Sequence, residues 1–336
     1  MVIQKISARK ILASLGEYTI EAGIEFSDGT LSIASVPAGI SAGKYEIAKV
    51  PGETAILEIA KINQICKDKD WTQESLDAQI SSHGFGGNST LAVSAAFYKS
   101  ITQNLKPITF PKLMLLIFEG GEHGNKNITM QEFMVIENSV NDASESFSRI
   151  MHYLKQNQIE TTVGAEGGFS PLNFNNEKCL EMLRRVFPNK QIAVDMADTF
   201  HQSPIPENVF SVEDPYDDES WEKWQELVAR GSSLVVGDDL TTTNPERIKK
   251  AIELKAITGV VIKPNQIGTI SKAKEAVRVA KEGGLKIIVS HRGQETDDTW
   301  IVDFALDVAA DFVKFGGLYR GERIAKYNRL LELLPS

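Results

Sequence analysis

Apolar and polar positions follow two different patterns along this chain. From Lys5 to Val36 they alternate, as YTIEAGIEF and then TLSIASV on either side of the Asp28-Gly29 dipeptide. A period of two broken by such a dipeptide predicts an antiparallel hairpin. PAGISAGKYE follows, with Gly39 and Gly43 around Ser41, and residues 37–43 read as a mobile loop and candidate lid. From Glu53 to Gln103 the apolar positions recur at helical spacing in three pieces, broken near Asp68 to Asp70 and at Gly84, Gly86 and Gly87. A sheet followed by helices makes residues 1–110 a small α+β unit.

Beyond Pro107 and Pro111, over residues 111–336, short apolar runs alternate with amphipathic helices, and the runs end on polar residues. QIAVD, VFSVED, SLVVGDD, GVVIK, KIIVSHR and DFVK are the clearest runs. SWEKWQELVAR, NPERIKKAIELK and SKAKEAVRVAKEGG are the clearest helices. Asn244-Pro245 suits a helix start and Gly283-Gly284 a helix stop. The run-ending residues Asp195, Glu213, Asp238, Lys263, His291 and Lys314 lie 18, 25, 25, 28 and 23 positions apart, the length of a βα unit. The fold class predicted is α/β, and a TIM-like barrel is favoured over an open sheet because the charged positions end all these strands rather than gathering at one switch point. GFGGNST follows helical sequence and reads as a loop and cap, not a dinucleotide fingerprint.

Composition narrows the chemistry. At 336 residues and 42% apolar content the chain can bury one large core and carry a second unit. A formal charge of -9, with the acidic residues scattered, argues against nucleic acid or an anionic membrane as partner. Cys66 and Cys179 form no CxxC pair, so neither a zinc site nor a disulfide framework is indicated. MVIQKISARK lacks a secretory apolar core, no stretch approaches the roughly 20 apolar residues of a membrane span, and the expected location is cytoplasmic.

In a barrel, Asp195, Glu213 and Asp238 end three successive strands on one face. Oxygen ligands without cysteine or histidine favour Mg²⁺. Lys263, on the next strand and near Lys314, is expected to have its amine pKa pushed down by burial and like charge, which suits a base; a lysine salt-bridged to the carboxylates is the alternative. A lysine base with magnesium stabilising an ene-diolate is a known barrel arrangement. EGGEHGNKNITMQEFMV adds His123 and Glu132, and TTVGAEGGFSP places Glu166 on a glycine turn, where a carboxylic acid can serve a leaving hydroxyl. His83, His152 and His201 read as surface or packing residues.

With these residues in view, the whole chain resembles the enolase family. VPAGISAG is similar to the family's mobile loop VPSGASTG, and GGEHGNKNITMQEFM, VGAEGGFSP, SVEDP, GDDLTTTNPERI, IKPNQIGT, SHRGQETDDT and RIAKYN follow in the family's order. The resemblance implies a barrel of the modified β2α2(βα)6 kind behind an α+β capping domain. It implies that Lys263 abstracts the C2 proton of 2-phosphoglycerate, that Glu166 assists departure of the C3 hydroxyl and that Glu132 supports Glu166. Asp195, Glu213 and Asp238 match the ligands of one magnesium, and Ser41 matches the lid group that binds a second. His123, Gln131, His291, Arg292, Gly293 and Lys314 match substrate-binding positions, Arg292 on the phosphate. The partner implied is a phosphorylated acid, in a homodimer.

The chain departs from the family at identifiable places. Gly293 stands where the family has the serine of HRS, Ala165 where it has Asp, and Phe315-Gly316-Gly317 where it has Thr-Gly-Ser. Ala13 to Thr19 replaces DSRGNPT beside the family's dimer contacts. Three functions stay open on this sequence: an enolase, a superfamily enzyme abstracting an alpha proton from another hydroxy acid, and a non-catalytic relative used for binding.

Overall fold

The alternating opening segment folds as its pattern requires. Strand β1 (Val2–Leu12) pairs antiparallel with β2 (Tyr18–Phe26), which pairs with β3 (Leu31–Ser35). Between β2 and β3, Gly29 takes φ +86° and Asp28 accepts the Thr30 N–H at 2.9 Å, closing the turn that the dipeptide announced. Ile20, Ala22, Ile24 and Phe26 point to the buried face of β2. Helix α1 (Gly52–Cys66), the short strand β4 (Lys69–Asp70), α2 (Gln73–Ser81) and α3 (Gly87–Thr102) complete this region, with sheet order β3-β2-β1-β4. The three helical pieces break where charged and glycine residues interrupt the apolar period. Thr72 and Ser75 cap α2 reciprocally.

The computed structural model describes residues 1–38, 43–103, 107, 109–197 and 204–333. Ser41, most of the 37–43 loop and His201 therefore lie outside the described residues. His83 and His152 are exposed, as expected of surface residues.

The remaining strands are β5 (Lys112–Glu119), β6 (Glu132–Glu137), β7 (Thr161–Val163), β8 (Phe169–Pro171), β9 (Ile192–Asp195), β10 (Ser211–Glu213), β11 (Leu234–Gly237), β12 (Gly259–Ile262), β13 (Lys286–Ser290) and β14 (Phe312–Lys314). Around them run α4 (Val140–Gln156), α5 (Asn176–Val186), α6 (Trp221–Arg230), α7 (Pro245–Glu253), α8 (Pro264–Ile267), α9 (Ile270–Glu282), α10 (Trp300–Asp307) and α11 (Gly321–Leu333). The order β14-β13-β12-β11-β10-β9-β6-β5 closes through the β14–β5 pairing into a barrel. Within it β6 alone runs antiparallel to its neighbours. Two strands, two helices and then six ordered strands make this the modified β2α2(βα)6 barrel. The β7–β8 hairpin hangs on β5 through Phe118 and Phe169.

Helix boundaries follow the local chemistry. Asn244 accepts the Glu246 N–H ahead of Pro245, and α9 stops at Glu282 before Gly284 at φ +74°. A separate buried cluster of Met114, Leu116, Met134, Ile136, Ala193, Val236, Val261, Ile288 and Phe312 comes from every barrel strand but β10 and fills the barrel's inside. Among the described residues no helix is long and apolar enough to cross a membrane.

Candidate active site

The barrel's filling determines what stands at its mouth. Side chains two residues apart share a strand face. Ala193, Val236, Val261 and Phe312 inside the barrel therefore put Asp195, Asp238, Lys263 and Lys314 one pleat nearer the C-terminal strand ends. On antiparallel β6 the same step runs backwards, from Met134 to Glu132. These side chains, with His123, Gln131, Glu166, His291, Arg292 and Gly293, line one cavity. Glu213 reaches its edge by way of Lys314.

Lys314 is the hub. Its buried Nζ donates to Glu132 Oε2 at 2.7 Å, Asp195 Oδ2 at 3.0 Å and Glu213 Oε1 at 2.7 Å. Burial would lower its pKa, but the surrounding carboxylates, Asp195 first, hold it well above the ordinary lysine value. Lys263 is ion-paired with Asp238, which also accepts from Gln266 at 3.0 Å. The depressed Lys263 pKa expected from the sequence is not what the fold produces. Burial does act downward, but contact with Asp238 outweighs it and raises the amine above its usual value.

Asp195, Glu213 and Asp238 come together at the ends of β9, β10 and β11, but around two ammonium groups rather than around a common centre. Among the described residues, the groups whose ligand atoms lie within 4.8 Å of one another are Asp214, Asp238 and Asp239; Glu132, Glu166 and His291; and Glu119, His123 and Glu166. The donor set still suits a hard divalent cation. It is rich in carboxylate oxygen, and Glu132 Oε1 is buried with no hydrogen-bond partner. A cation held by Asp195, Glu213 and Asp238 would compete with Lys314 and Lys263 for their oxygens.

On the opposite side, Glu166 Oε1 lies 3.5 Å from His123 Nδ1 and its Oε2 3.5 Å from His291 Nε2. Arg323 Nη1 donates to His291 Nδ1 at 2.6 Å, which leaves the imidazole proton on Nε2, facing the carboxylates. Burial and then Arg323, against the pull of Glu166, keep His291 well below its ordinary pKa. Burial would raise Glu166, but His291 and His123 hold it well below the usual carboxylate range. Glu132 moves the other way: burial pushes it well up, with Glu166 and Asp195 adding to the effect and Lys314 opposing it.

At the third edge, Arg292 is engaged by the buried Glu46 carboxylate through Nη2 at 2.9 Å and Nη1 at 3.2 Å. Nearby, burial and then Arg292 push the Lys49 amine down to about 8. Gly293 offers only backbone here, and its carbonyl accepts from Arg323 at 2.8 Å.

Several participants escape the sequence reading. Glu119 ends β5 as the other charged residues end theirs, a signal present in KLMLLIFE. Asp214 accepts the Asp238 and Asp239 N–H groups at 2.9 and 2.8 Å, and follows Glu213 directly. Glu46 ends PAGISAGKYE and Arg323 begins RIAKYN, but neither segment points to its partner, which lies far away in sequence.

A closed barrel with charged groups gathered on its C-terminal strand ends defines the class, an α/β-barrel protein with its polar site at that face. Residues 107–190 and 185–334 match the family described as Enolase, C-terminal TIM barrel domain. The chain is also 30% identical over 404 residues to Enolase 2 of Lactobacillus johnsonii (strain CNCM I-12250 / La1 / NCC 533), covering 98% of this chain and 94% of that protein. The chain belongs to the enolase family.

Proposed function

We propose that this protein is a lyase that reversibly dehydrates 2-phosphoglycerate to phosphoenolpyruvate, the glycolytic and gluconeogenic step, with Mg²⁺ as cofactor. The observation that carries the reading is the shared cavity of Lys263, Glu166, the Asp195 and Asp238 carboxylates and Arg292. Lys263 takes the proton from C2. Asp195, Glu213 and Asp238 would hold Mg²⁺, whose positive charge would stabilise the substrate carboxylate as its alpha proton leaves and draw Asp238 away from Lys263. Lys314 stands beside the same carboxylates and faces the charge that develops. Arg292 binds the phosphate end, with His123, Gln131, His291 and Gly293 around the substrate. Glu166 assists departure of the C3 hydroxyl, and Glu132, which lines the same cavity, supports Glu166. Ser41 belongs to this reading as the lid ligand of a second magnesium.

A second reading has a specific observation behind it. Arg292 is already paired with Glu46, and Gly293 lacks a hydroxyl, so the anion end favours a family enzyme acting on a different hydroxy acid. The deciding assay mixes the protein with Mg²⁺ and 2-phosphoglycerate and follows ultraviolet absorbance of phosphoenolpyruvate. Lys263→Ala is expected to lower the rate about 10²- to 10⁴-fold. Substrate binding without turnover would sink the first reading, and alpha-proton exchange on other hydroxy acids would support the second.

A further inference from the structure

The turn that carries Glu166 has an unusual support. Both oxygens of the buried Glu119 carboxylate accept backbone N–H groups from that turn, Oε1 from Glu166 at 2.7 Å and Oε2 from Gly168 at 3.0 Å. Other polar groups of the turn are occupied as well. Gly164 N–H bonds Gly168 O at 3.0 Å and Ala165 N–H bonds His123 O at 3.0 Å. Glu166 O accepts from Gly317 at 2.9 Å, and Gly164 O accepts from Arg320 Nη2 at 2.9 Å. Of the side chains among these supports only Glu119 grips the turn on both sides of Gly167, which sits at φ +88°. The fit is close: a Cβ on Gly164 would meet Glu119 Oε2 at 2.3 Å.

We propose that Glu119 is a positioning residue, whose carboxylate holds the Gly164–Gly168 turn by two backbone N–H groups and so fixes where Glu166 meets the leaving hydroxyl. Sequence and geometry agree on the need. Ala165 puts no polar side chain on this turn, so the side-chain hydrogen bonds that set it come from outside. Glu119 is the last residue of β5, which pairs with β14 and β6, so the turn is referenced to the barrel wall rather than to a neighbouring loop. The role assigned to Glu166 rests on the function proposed above; the grip on the turn does not.

The test uses Glu119→Gln, which keeps size and shape but turns one acceptor into an NH₂ that confronts a backbone N–H. Amide hydrogen exchange, measured without metal or substrate, is expected to show lost protection at Glu166 and Gly168, with the rest of the barrel unchanged. With Mg²⁺ and 2-phosphoglycerate, the dehydration kcat is expected to fall about 10- to 100-fold, as misplacement of a catalytic group does. KM and the exchange of the C2 proton with D₂O are expected to stay within about threefold, because Lys263 is untouched. Glu119→Asp keeps two acceptor oxygens and should fall between the two proteins, and it supplies the same readouts where the Gln variant does not fold. Retained protection at Glu166 and Gly168, or parallel loss of C2 exchange and dehydration, would overturn the proposal. If the unmutated protein neither exchanges nor dehydrates this substrate, it is the function reading that fails, and hydrogen exchange still decides the role of Glu119.

Discussion

The lysine and carboxylate side of the cavity and its anion side are built by different means. Asp195, Asp238, Lys263 and Lys314 stand on strand ends, where the register that fills the barrel with Ala193, Val236, Val261 and Phe312 also sets their direction. Arg292, Gly293 and Glu46 stand on loops, where position depends on pairings such as Arg292 with Glu46 and Arg323 with the carbonyls of Arg292 and Gly293. A barrel of this kind can keep its strand-end groups constant while the loops change what binds beside them.

The largest expected effect breaks the strand-end side. Lys314→Met leaves Glu132, Asp195 and Glu213 buried without their shared ammonium, and urea unfolding in the absence of divalent ions should show a loss of roughly 3–5 kcal/mol. Added Mg²⁺ should restore part of it by binding the folded form. Equal stability of the two proteins in chelator would contradict the hub role of Lys314. A smaller change sharpens the anion side. Gly293→Ser should lower the KM for 2-phosphoglycerate about tenfold if a phosphate is the natural group there, since a hydroxyl adds one charge-assisted hydrogen bond. An unchanged or raised KM would point to another substrate.

The smallest effect concerns Lys49. Its amine sits at about 8 in the fold, chiefly through burial, against 10.5 ordinarily. Between these values the unfolded chain binds more protons than the folded one, so this group makes stability rise with pH over that window and adds no pH dependence well below it. Lys49→Met should flatten melting temperature against pH between about 8 and 10.5. An identical slope in both proteins would remove Lys49 from the account.

The same contrast governs how far the sequence could be read. Asp195, Glu213, Asp238, Lys263, His291 and Lys314 were legible because each follows a short apolar run at βα spacing, and the α/β barrel followed from that spacing. The hairpin at Asp28-Gly29 and the cap at Asn244 were legible because their chemistry is local. Glu46 was not, because its partner Arg292 is 246 positions away. The Glu119 grip on Glu166 spans 47 positions and connects a side chain to backbone, which no residue pattern records. The raised Lys263 pKa depends on which carboxylate the ammonium touches, a matter of side-chain geometry rather than strand order.

Arg323 makes the last helix part of the imidazole's setting. The barrel strands end at Lys314 and α11 follows them, yet its Arg323 reaches back to His291 and to the carbonyls of Arg292 and Gly293. One guanidinium therefore joins the choice of ring nitrogen to the shape of the neighbouring loop, so a substitution there changes both together.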